Sequence, residues 1–122
     1  MNKIIGDLGE DYAAGYLAKK KRCKILERNY RIGRGEVDII AEKGEYIIFV
    51  EVKTRFDNEY GTPAEAVTPA KQERIMGVAA SYLARYDGKS ARFDIIEIIG
   101  KVVKDKLKVK SINHIENAFW GV

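Results

Sequence analysis

The chain has 122 residues, of which 33% are charged and 46% hydrophobic, and its formal net charge is +4. This length and balance favour one folded domain, residues 1–122, and argue against a disordered chain. No apolar run approaches the ~20 residues of a membrane span, and the N-terminus lacks the apolar stretch of a signal peptide. We therefore expect a cytoplasmic protein with no membrane partner, whose mild positive charge permits a polyanionic partner.

The first element that the sequence predicts is a helix over residues 3–20. Its apolar residues recur every three or four positions, with acids near its start and lysines at its end, as the helix dipole favours. Glu10 lies on this helix within one turn of several small residues, which would let the helix approach a sheet closely. Taken alone, Glu10 is most simply interpreted as a surface acid.

Two groups of basic residues follow the helix, one at 19–24 and one at 28–34. A solvated helix end and loop explain them as well as contacts with a phosphate backbone do. The candidate nucleic-acid contacts in these groups and later in the chain are Lys20, Lys21, Arg31, Arg34, Arg55 and Lys71.

A β-hairpin over residues 35–53 is the strongest pattern in the chain. A predicted strand over 23–31 and a glycine-rich turn precede it, and its two apolar strands are joined at Lys43-Gly44. If Glu42 pairs with Glu45, Glu36 lies opposite Glu51. The same register puts Asp38 opposite Phe49 and diagonal to Glu51.

Alternation along the strands then brings the polar residues of the hairpin to one surface. These residues are Glu36, Asp38, Glu51 and Lys53. A bulge of one residue would break this register, and Glu36 is the residue that we would then expect to turn away.

The second half of the chain predicts a loop over 54–67, a helix, and one or two strands. The loop is long for a compact domain, and such loops are often functional. The helix begins at Thr68-Pro69, where threonine is a credible cap and proline a favoured first residue, and it ends at Asp87-Gly88. The last strands are predicted over 92–99 and 107–115, after which Phe119 and Trp120 are expected to pack on the core or at an interface.

The converging carboxylates predict a metal site. Like charges this close destabilise a fold unless a cation offsets them, and Mg²⁺ prefers carboxylates, carbonyls, waters and phosphate oxygens. Asp38, Glu51 and the carbonyl of Val52 are candidate ligands. Lys53 can orient the attacking water and stabilise charge at phosphorus. At the start of the second helix, Lys71 or Gln72 can contact the water or a phosphate.

A purely structural interpretation has about equal weight. Acids and lysines are common at strand ends, and Glu51 with Lys53 can form an exposed ion pair worth about 0–1 kcal/mol. The length of the apolar runs favours a covered strand and hence the site. His114 is expected to pack in the last strand rather than act as a base, and the single cysteine, Cys23, excludes an intramolecular disulfide.

These stretches together resemble the PD-(D/E)XK nuclease superfamily. The chain is similar over most of its length to the small bacterial YraN-type family and, in arrangement, to archaeal Holliday-junction resolvases. The resemblance implies an α/β fold of the α+β kind, a restriction-endonuclease-like αβββαβ core with a mixed central sheet flanked by helices. The matching stretches are Gly6-Asp7-Leu8-Gly9-Glu10, Asn29-Tyr30-Arg31, Gly35-Glu36-Val37-Asp38-Ile39-Ile40 and Phe49-Val50-Glu51-Val52-Lys53-Thr54-Arg55.

The resemblance implies separate roles for the residues of the site. Asp38 and Glu51 would bind Mg²⁺ or Mn²⁺, and Lys53 would be the catalytic lysine. Glu10 would support the metal or its water, and Gln72 would assist from the second helix. One residue departs from the pattern and has no implied role: the proline of the superfamily name is replaced by Glu36.

The sequence thus predicts a metal-dependent endonuclease that hydrolyses phosphodiester bonds in DNA, with branched or structured DNA as a candidate substrate. Two alternatives stay open. One is a non-catalytic module that binds nucleic acid or a protein partner on a nuclease-like fold, favoured by the modest net charge and the terminal Phe119-Trp120. The other is a homodimer with a structural role and no ligand.

Overall fold

A computed structural model describes residues 3–56 and 67–119 of the chain. Five strands form a mixed sheet in the order β1-β2-β3-β4-β5, in which β3 and β4 run parallel and the other neighbours antiparallel. No helix in the described ranges is long and apolar enough to cross a membrane. The elements in chain order are α1 (Lys3–Lys19), β1 (Lys24–Ile32), β2 (Gly35–Lys43), β3 (Tyr46–Phe56), α2 (Pro69–Leu83), β4 (Ser90–Val103) and β5 (Lys106–Ile115). The predicted mixed sheet with flanking helices is confirmed, and a further strand follows the αβββαβ order.

The two helices cover opposite faces of the sheet. Side chains alternate along β3, so Ile48 and Val50 pack towards α1 while Ile47 and Phe49 pack towards α2. Phe119 is buried on the α2 side, where its ring stacks on Phe93 at 5.1 Å, as expected for core packing. Trp120 lies outside the described residues. The central strands are therefore buried on both faces, which explains their continuous apolar runs.

The predicted register of the β2–β3 hairpin is wrong by two residues. Ile39 pairs with Val50 and Lys43 with Tyr46, which leaves Gly44-Glu45 as the turn. Gly44 has a φ of +58°, a conformation that glycine adopts readily, and it occupies the first turn position rather than the second. The prediction centred the turn one residue too early.

The corrected register changes which residues are neighbours but not which face each side chain would take, because a shift of two preserves alternation. Ile40, rather than Asp38, lies opposite Phe49. Continued by one step, the register puts Asp38, rather than Glu36, at the level of Glu51.

Pairing between strands also moves three predicted boundaries. β3 continues to Phe56, which pairs with Gly100 of β4, so residues 54–56 are strand rather than loop; residues 57–66 of the predicted loop lie outside the described residues. β4 is longer at both ends than the predicted 92–99. The start of α2 is confirmed, since Thr68 caps it by accepting a hydrogen bond from the backbone N–H of Lys71, but the helix ends at Leu83.

A glycine sets the distance between α1 and the sheet. Gly9 is buried on the face of α1 that packs on β3, and a Cβ atom there would overlap the Oγ1 of Thr54. Gly15 of the same helix has open space at its Cβ position. The close approach at Gly9 brings the following residue, Glu10, up to the sheet.

We expect Gly9→Ala to lower the free energy of unfolding by about 1–3 kcal/mol, because the helix must move or Thr54 must repack. Gly15→Ala is the matched control, expected to raise stability by about 0.5–1 kcal/mol through helix propensity alone. Urea denaturation of both variants measures the difference. Equal stability changes in the two variants would contradict the tight contact.

A buried charged network joins β4 to β5. The carboxylate of Asp94 is fully buried and accepts hydrogen bonds from Arg92 Nε at 3.0 Å, from the backbone N–H of Asn117 at 3.0 Å, and at 2.7 Å from His114 Nε2. The Nδ1 of His114 lies 3.1 Å from the hydroxyl of Tyr16 on α1. Burial alone would raise the pKa of Asp94, but these hydrogen bonds lower it below its ordinary value. His114 therefore has a structural position, within a network that the sequence did not predict.

Candidate metal centre

The centre of the site is an opening between β2 and β3. Their pairing stops at Ile39 and Val50, and beyond this point Asp38 uses its side chain in place of a backbone partner. Its Oδ2 accepts a hydrogen bond from the backbone N–H of Val52 at 2.8 Å. The opening thus fixes the carboxylate of Asp38 between the strands.

Strict alternation along β2 fails at this residue. Ile39 packs in the core on the α1 side, whereas Val37 packs in the core on the α2 side. Asp38 lies between these two faces, so it can approach acids that come from either side of the sheet. The hairpin prediction of one shared surface therefore needs correction at Asp38.

Glu36 does not join the buried acids. Its side chain is 45% exposed and forms an ion pair with Arg31 at 3.3 Å. It follows that Glu36 contributes negative charge at the edge of the site rather than a carboxylate within it.

Glu51 is the acid on the α2 side of the opening. Its side chain is only 6% exposed, and its Oε1 accepts a hydrogen bond from Lys71 Nζ at 2.6 Å. Its carboxyl group is also within hydrogen-bonding reach of Asp38. Burial and the charge of Asp38 raise the pKa of Glu51 to about 8, although Lys71 acts in the opposite direction.

Glu10 approaches Asp38 from α1. Its Oε1 is buried and has no hydrogen-bond partner among the residues that the structure describes. Burial, followed by the charge of Asp38, raises the pKa of Glu10 to about 7. A cavity of about 420 Å³ opens beside it, lined by Lys3, Gly6, Asp7, Glu10, Asn29, Arg31 and Glu36.

Asp38 is the acid that connects the other two. Burial raises its own pKa above the ordinary value, against the hydrogen bond from Val52, which lowers it. The charge of Asp38 raises the pKa of both Glu10 and Glu51. Glu51 is buried and Glu10 and Asp38 are half-buried. If all three carboxyl groups ionised together, their negative charge would exceed what Lys71 and Arg28 balance.

This donor set fits a hard divalent cation. A contact between two carboxyl groups requires a proton between them, and a cation in that place would let both ionise. Asp38 contacts Val52 through Oδ2 and Glu51 contacts Lys71 through Oε1. The second carboxylate oxygen of each acid is not used in these two contacts. In the described part of the chain, no three acidic, histidine or cysteine side chains enclose an ion by themselves. Mg²⁺ commonly binds through only one or two carboxylates, completed by waters and substrate phosphate.

The two other residues predicted to be catalytic come from β3 and from the start of α2. Lys53 is half-buried on β3, two residues beyond Glu51, and it pairs with Glu97 in the parallel ladder. Gln72 is in the first turn of α2, and its side-chain amide donates to the carbonyl of Val67 at 3.0 Å. Lys53 thus follows Glu51 on the same strand, while the amide nitrogen of Gln72 is used in fixing the start of the helix.

The six candidate nucleic-acid contacts do not form one surface. Lys20 and Lys21 line a separate groove of about 670 Å³ between α1 and β5. Arg31 lines the cavity beside Glu10, and Arg34 is exposed in the turn that precedes β2. The remaining two residues form ion pairs with acids whose side chains are less than 10% exposed: Arg55 with Glu97, and Lys71 with Glu51.

Sequence reasoning missed the contact between Lys71 and Glu51. The two residues are 20 positions apart, so no local pattern connects them. The capped start of α2 was the available signal, because it determines which side chains begin the helix above the sheet.

The chain matches known sequences over most of its length. Residues 9–98 match the model of the Uncharacterised protein family UPF0102. A UPF0102 protein of Clostridioides difficile is 46% identical over 120 residues, covering 97% of this chain and 98% of the relative. A UPF0102 protein of Alkaliphilus oremlandii is 47% identical over 123 residues, covering 98% of this chain and all of the relative, 100%. A UPF0102 protein of Dictyoglomus thermophilum is 46% identical over 120 residues, 97% of this chain and 98% of the relative.

Proposed function

The chain belongs to the UPF0102 family, and we propose that it is a cytoplasmic Mg²⁺- or Mn²⁺-dependent endonuclease of the PD-(D/E)XK type that hydrolyses DNA. The observation that carries this proposal is the cluster of carboxyl groups around Asp38, of which Glu51 is buried and Glu10 and Asp38 are half-buried. Two of its acids, Glu10 and Glu51, have pKa values raised to about 7 and 8, and one carboxylate oxygen of Glu10 is buried without a described partner. Perturbed acids gathered at one place are typical of functional sites.

Each residue of the site has a role that its position supports. Asp38 and Glu51 would hold the metal, whose charge would polarise the phosphate and lower the pKa of the attacking water. Lys53 stabilises the negative charge that develops on the phosphoryl oxygens. Glu10 accepts a hydrogen bond from the water on the α1 side.

Lys71 has a role of its own in this proposal. Its Nζ donates a hydrogen bond to the Oε1 of Glu51 at 2.6 Å. If Glu51 held a divalent ion, Lys71 would no longer be needed to balance this carboxylate and its ammonium group could contact a phosphate oxygen of the substrate. Phosphate contact and metal binding are then coupled through one carboxylate.

Lys53→Ala tests the catalytic role. The substrates are single-stranded, duplex and branched DNA with Mn²⁺. We expect the variant to cleave at least about a hundredfold more slowly than the wild type, because one charge at the transition state is lost. Lys24→Ala, at the opposite end of the sheet, is the control and should cleave at the wild-type rate.

A non-catalytic binding module predicts a different outcome. Wild-type protein would then cleave none of the three substrates, and its DNA binding would survive both Asp38→Ala and Glu51→Ala. That pair of results would replace the nuclease proposal with the binding module.

A further inference from the structure

The end of the β4–β5 hairpin carries a concentration of positive charge outside the site. Residues 100–109, which we call the lysine hairpin, extend beyond the last paired residues of β3 and β4, Phe56 and Gly100. Within the described part of the chain its lysines form no ion pair, and the hairpin contains a single acid, Asp105. The lysines, all exposed, are Lys101, Lys104, Lys106 and Lys108.

The lysine hairpin keeps these charges against its own stability. Lys101 and Lys108 are directly opposite in the antiparallel ladder, and like charges so placed destabilise a sheet. The turn residues Lys104 and Asp105 have φ values of +50° and +63°. This left-handed conformation favours asparagine or glycine over lysine. A polyanion bound to the hairpin would offset the repulsion between Lys101 and Lys108.

A bulge at the base gives the lysine hairpin its direction. The β4–β5 register shifts between Ile99 and Gly100, and a Cβ atom at Gly100 would overlap the carbonyl of Lys108. Bulges bend a strand and increase its twist. The hairpin therefore leaves the line of the sheet at a fixed point.

The lysine hairpin lies at the same end of the sheet as the carboxylates. Glu51 pairs with Ile95 of β4, and Lys101 is six residues further along that strand. At ~3.3 Å per residue the separation is at most about 20 Å, because the bulge bends the hairpin. Alternation from Ile95 puts Lys101 on the α2 face, the face of Glu51. Duplex DNA rises ~3.4 Å per base pair, so a duplex that runs along β4 covers this separation in at most about six base pairs.

We propose that the lysine hairpin binds the DNA backbone within about six base pairs of the phosphodiester bond that is cleaved at the metal site of Asp38 and Glu51. This inference rests on the proposed function, which supplies DNA as the ligand. A DNA strand that is cleaved at the carboxylates would continue past the hairpin. The hairpin supplies contacts that neutralise phosphates and fix the direction of the duplex, without reading its sequence.

Binding to a 24-base-pair duplex without metal tests the proposal. Fluorescence anisotropy is measured over a series of salt concentrations for the wild type, for Lys101→Gln/Lys108→Gln, and for Lys24→Gln/Lys43→Gln. The last variant removes the same charge from the opposite end of the sheet. We expect the hairpin variant to bind about tenfold more weakly near 0.1 M salt, with a salt slope lower by about 2, and the control to bind within about twofold of wild type.

A thermal melt separates lost binding from lost folding. Because the two substitutions remove repulsion, the hairpin variant should melt no lower than the wild type. A lower melting temperature with unchanged DNA affinity would contradict the proposal on both counts.

Two further outcomes would overturn the proposal. One is an equal loss of affinity in both double variants, which would mean that net charge alone matters. The other is a hairpin variant that keeps its DNA affinity but loses binding to phosphatidylglycerol vesicles or to polyglutamate. Failure of the nuclease proposal is recognised separately, as hairpin-dependent binding by a wild-type protein that cleaves no DNA with Mn²⁺.

Discussion

Asp38→Asn is expected to remove metal-dependent DNA cleavage and leave the fold at least as stable as the wild type. The amide oxygen can still accept the hydrogen bond from the Val52 N–H, which the carboxylate accepts at 2.8 Å. Glu10 and Glu51 lose the charge that raises the pKa of each. We expect a free energy of unfolding unchanged or higher by up to about 2 kcal/mol, and cleavage slower by about a hundredfold or more.

Glu36→Gln is the matched control for this prediction. It removes an acid from the same strand, two residues away, whose side chain is 45% exposed. Cleavage with Mn²⁺ and denaturation in urea should both stay near the wild-type values. An Asp38→Asn variant that cleaves normally, or that is less stable than the Glu36→Gln control, would contradict the assigned role.

Asp94→Ala is expected to cause the largest loss of stability, about 3–5 kcal/mol. The substitution leaves Arg92, whose side chain is 15% exposed, and His114, at 5%, without their shared carboxylate. Asp11→Ala is the control, because Asp11 forms an ion pair with Arg28 while 67% of its side chain is exposed. Surface ion pairs contribute about 0–1 kcal/mol to stability. Urea denaturation at pH 7 compares the two.

The same network predicts a dependence on pH. Because the pKa of Asp94 is lower in the folded protein than its ordinary value, its stabilisation is complete above the unfolded pKa of about 3.9 and is lost as the pH falls through the folded pKa. The stability difference between wild type and Asp94→Asn should therefore shrink below about pH 4. A difference that stays constant from pH 7 to pH 3 would show that the charge of Asp94 has no part in it.

The fold followed from the sequence where the patterns are local. The spacing of apolar residues predicted α1, and Thr68-Pro69 predicted the start of α2 with its cap. The turn was displaced because Lys43-Gly44 and Gly44-Glu45 are both plausible turns. Only pairing across the sheet, with Lys43 opposite Tyr46, decides between them.

The candidate site could be predicted only in part, for a similar reason. Alternation and the resemblance both selected Asp38 and Glu51, but neither could locate the opening that holds Asp38, since this depends on where β2 and β3 part. The buried acid Asp94 and its partner His114 are 20 residues apart. Their contact depends on the packing of β4 and β5, which no local pattern encodes.

The lysine hairpin illustrates the opposite difficulty. Its lysines are plain in the sequence, but a charged run is usually a solvated surface. Two structural facts indicate a function for them: the ladder sets Lys101 opposite Lys108, and the hairpin lies at the same end of the sheet as the carboxylates. The sequence analysis selected cations at 19–34 together with Arg55 and Lys71, and it overlooked those at 101–108.

The most direct test of the central claim is a calorimetric titration of the metal-free protein with Mn²⁺. If Asp38 and Glu51 share one divalent ion, the wild type binds one Mn²⁺ per chain, and the double variant Asp38→Asn/Glu51→Gln binds none at the same concentrations. A wild type that binds no Mn²⁺, or a double variant that binds it equally well, would contradict the metal centre.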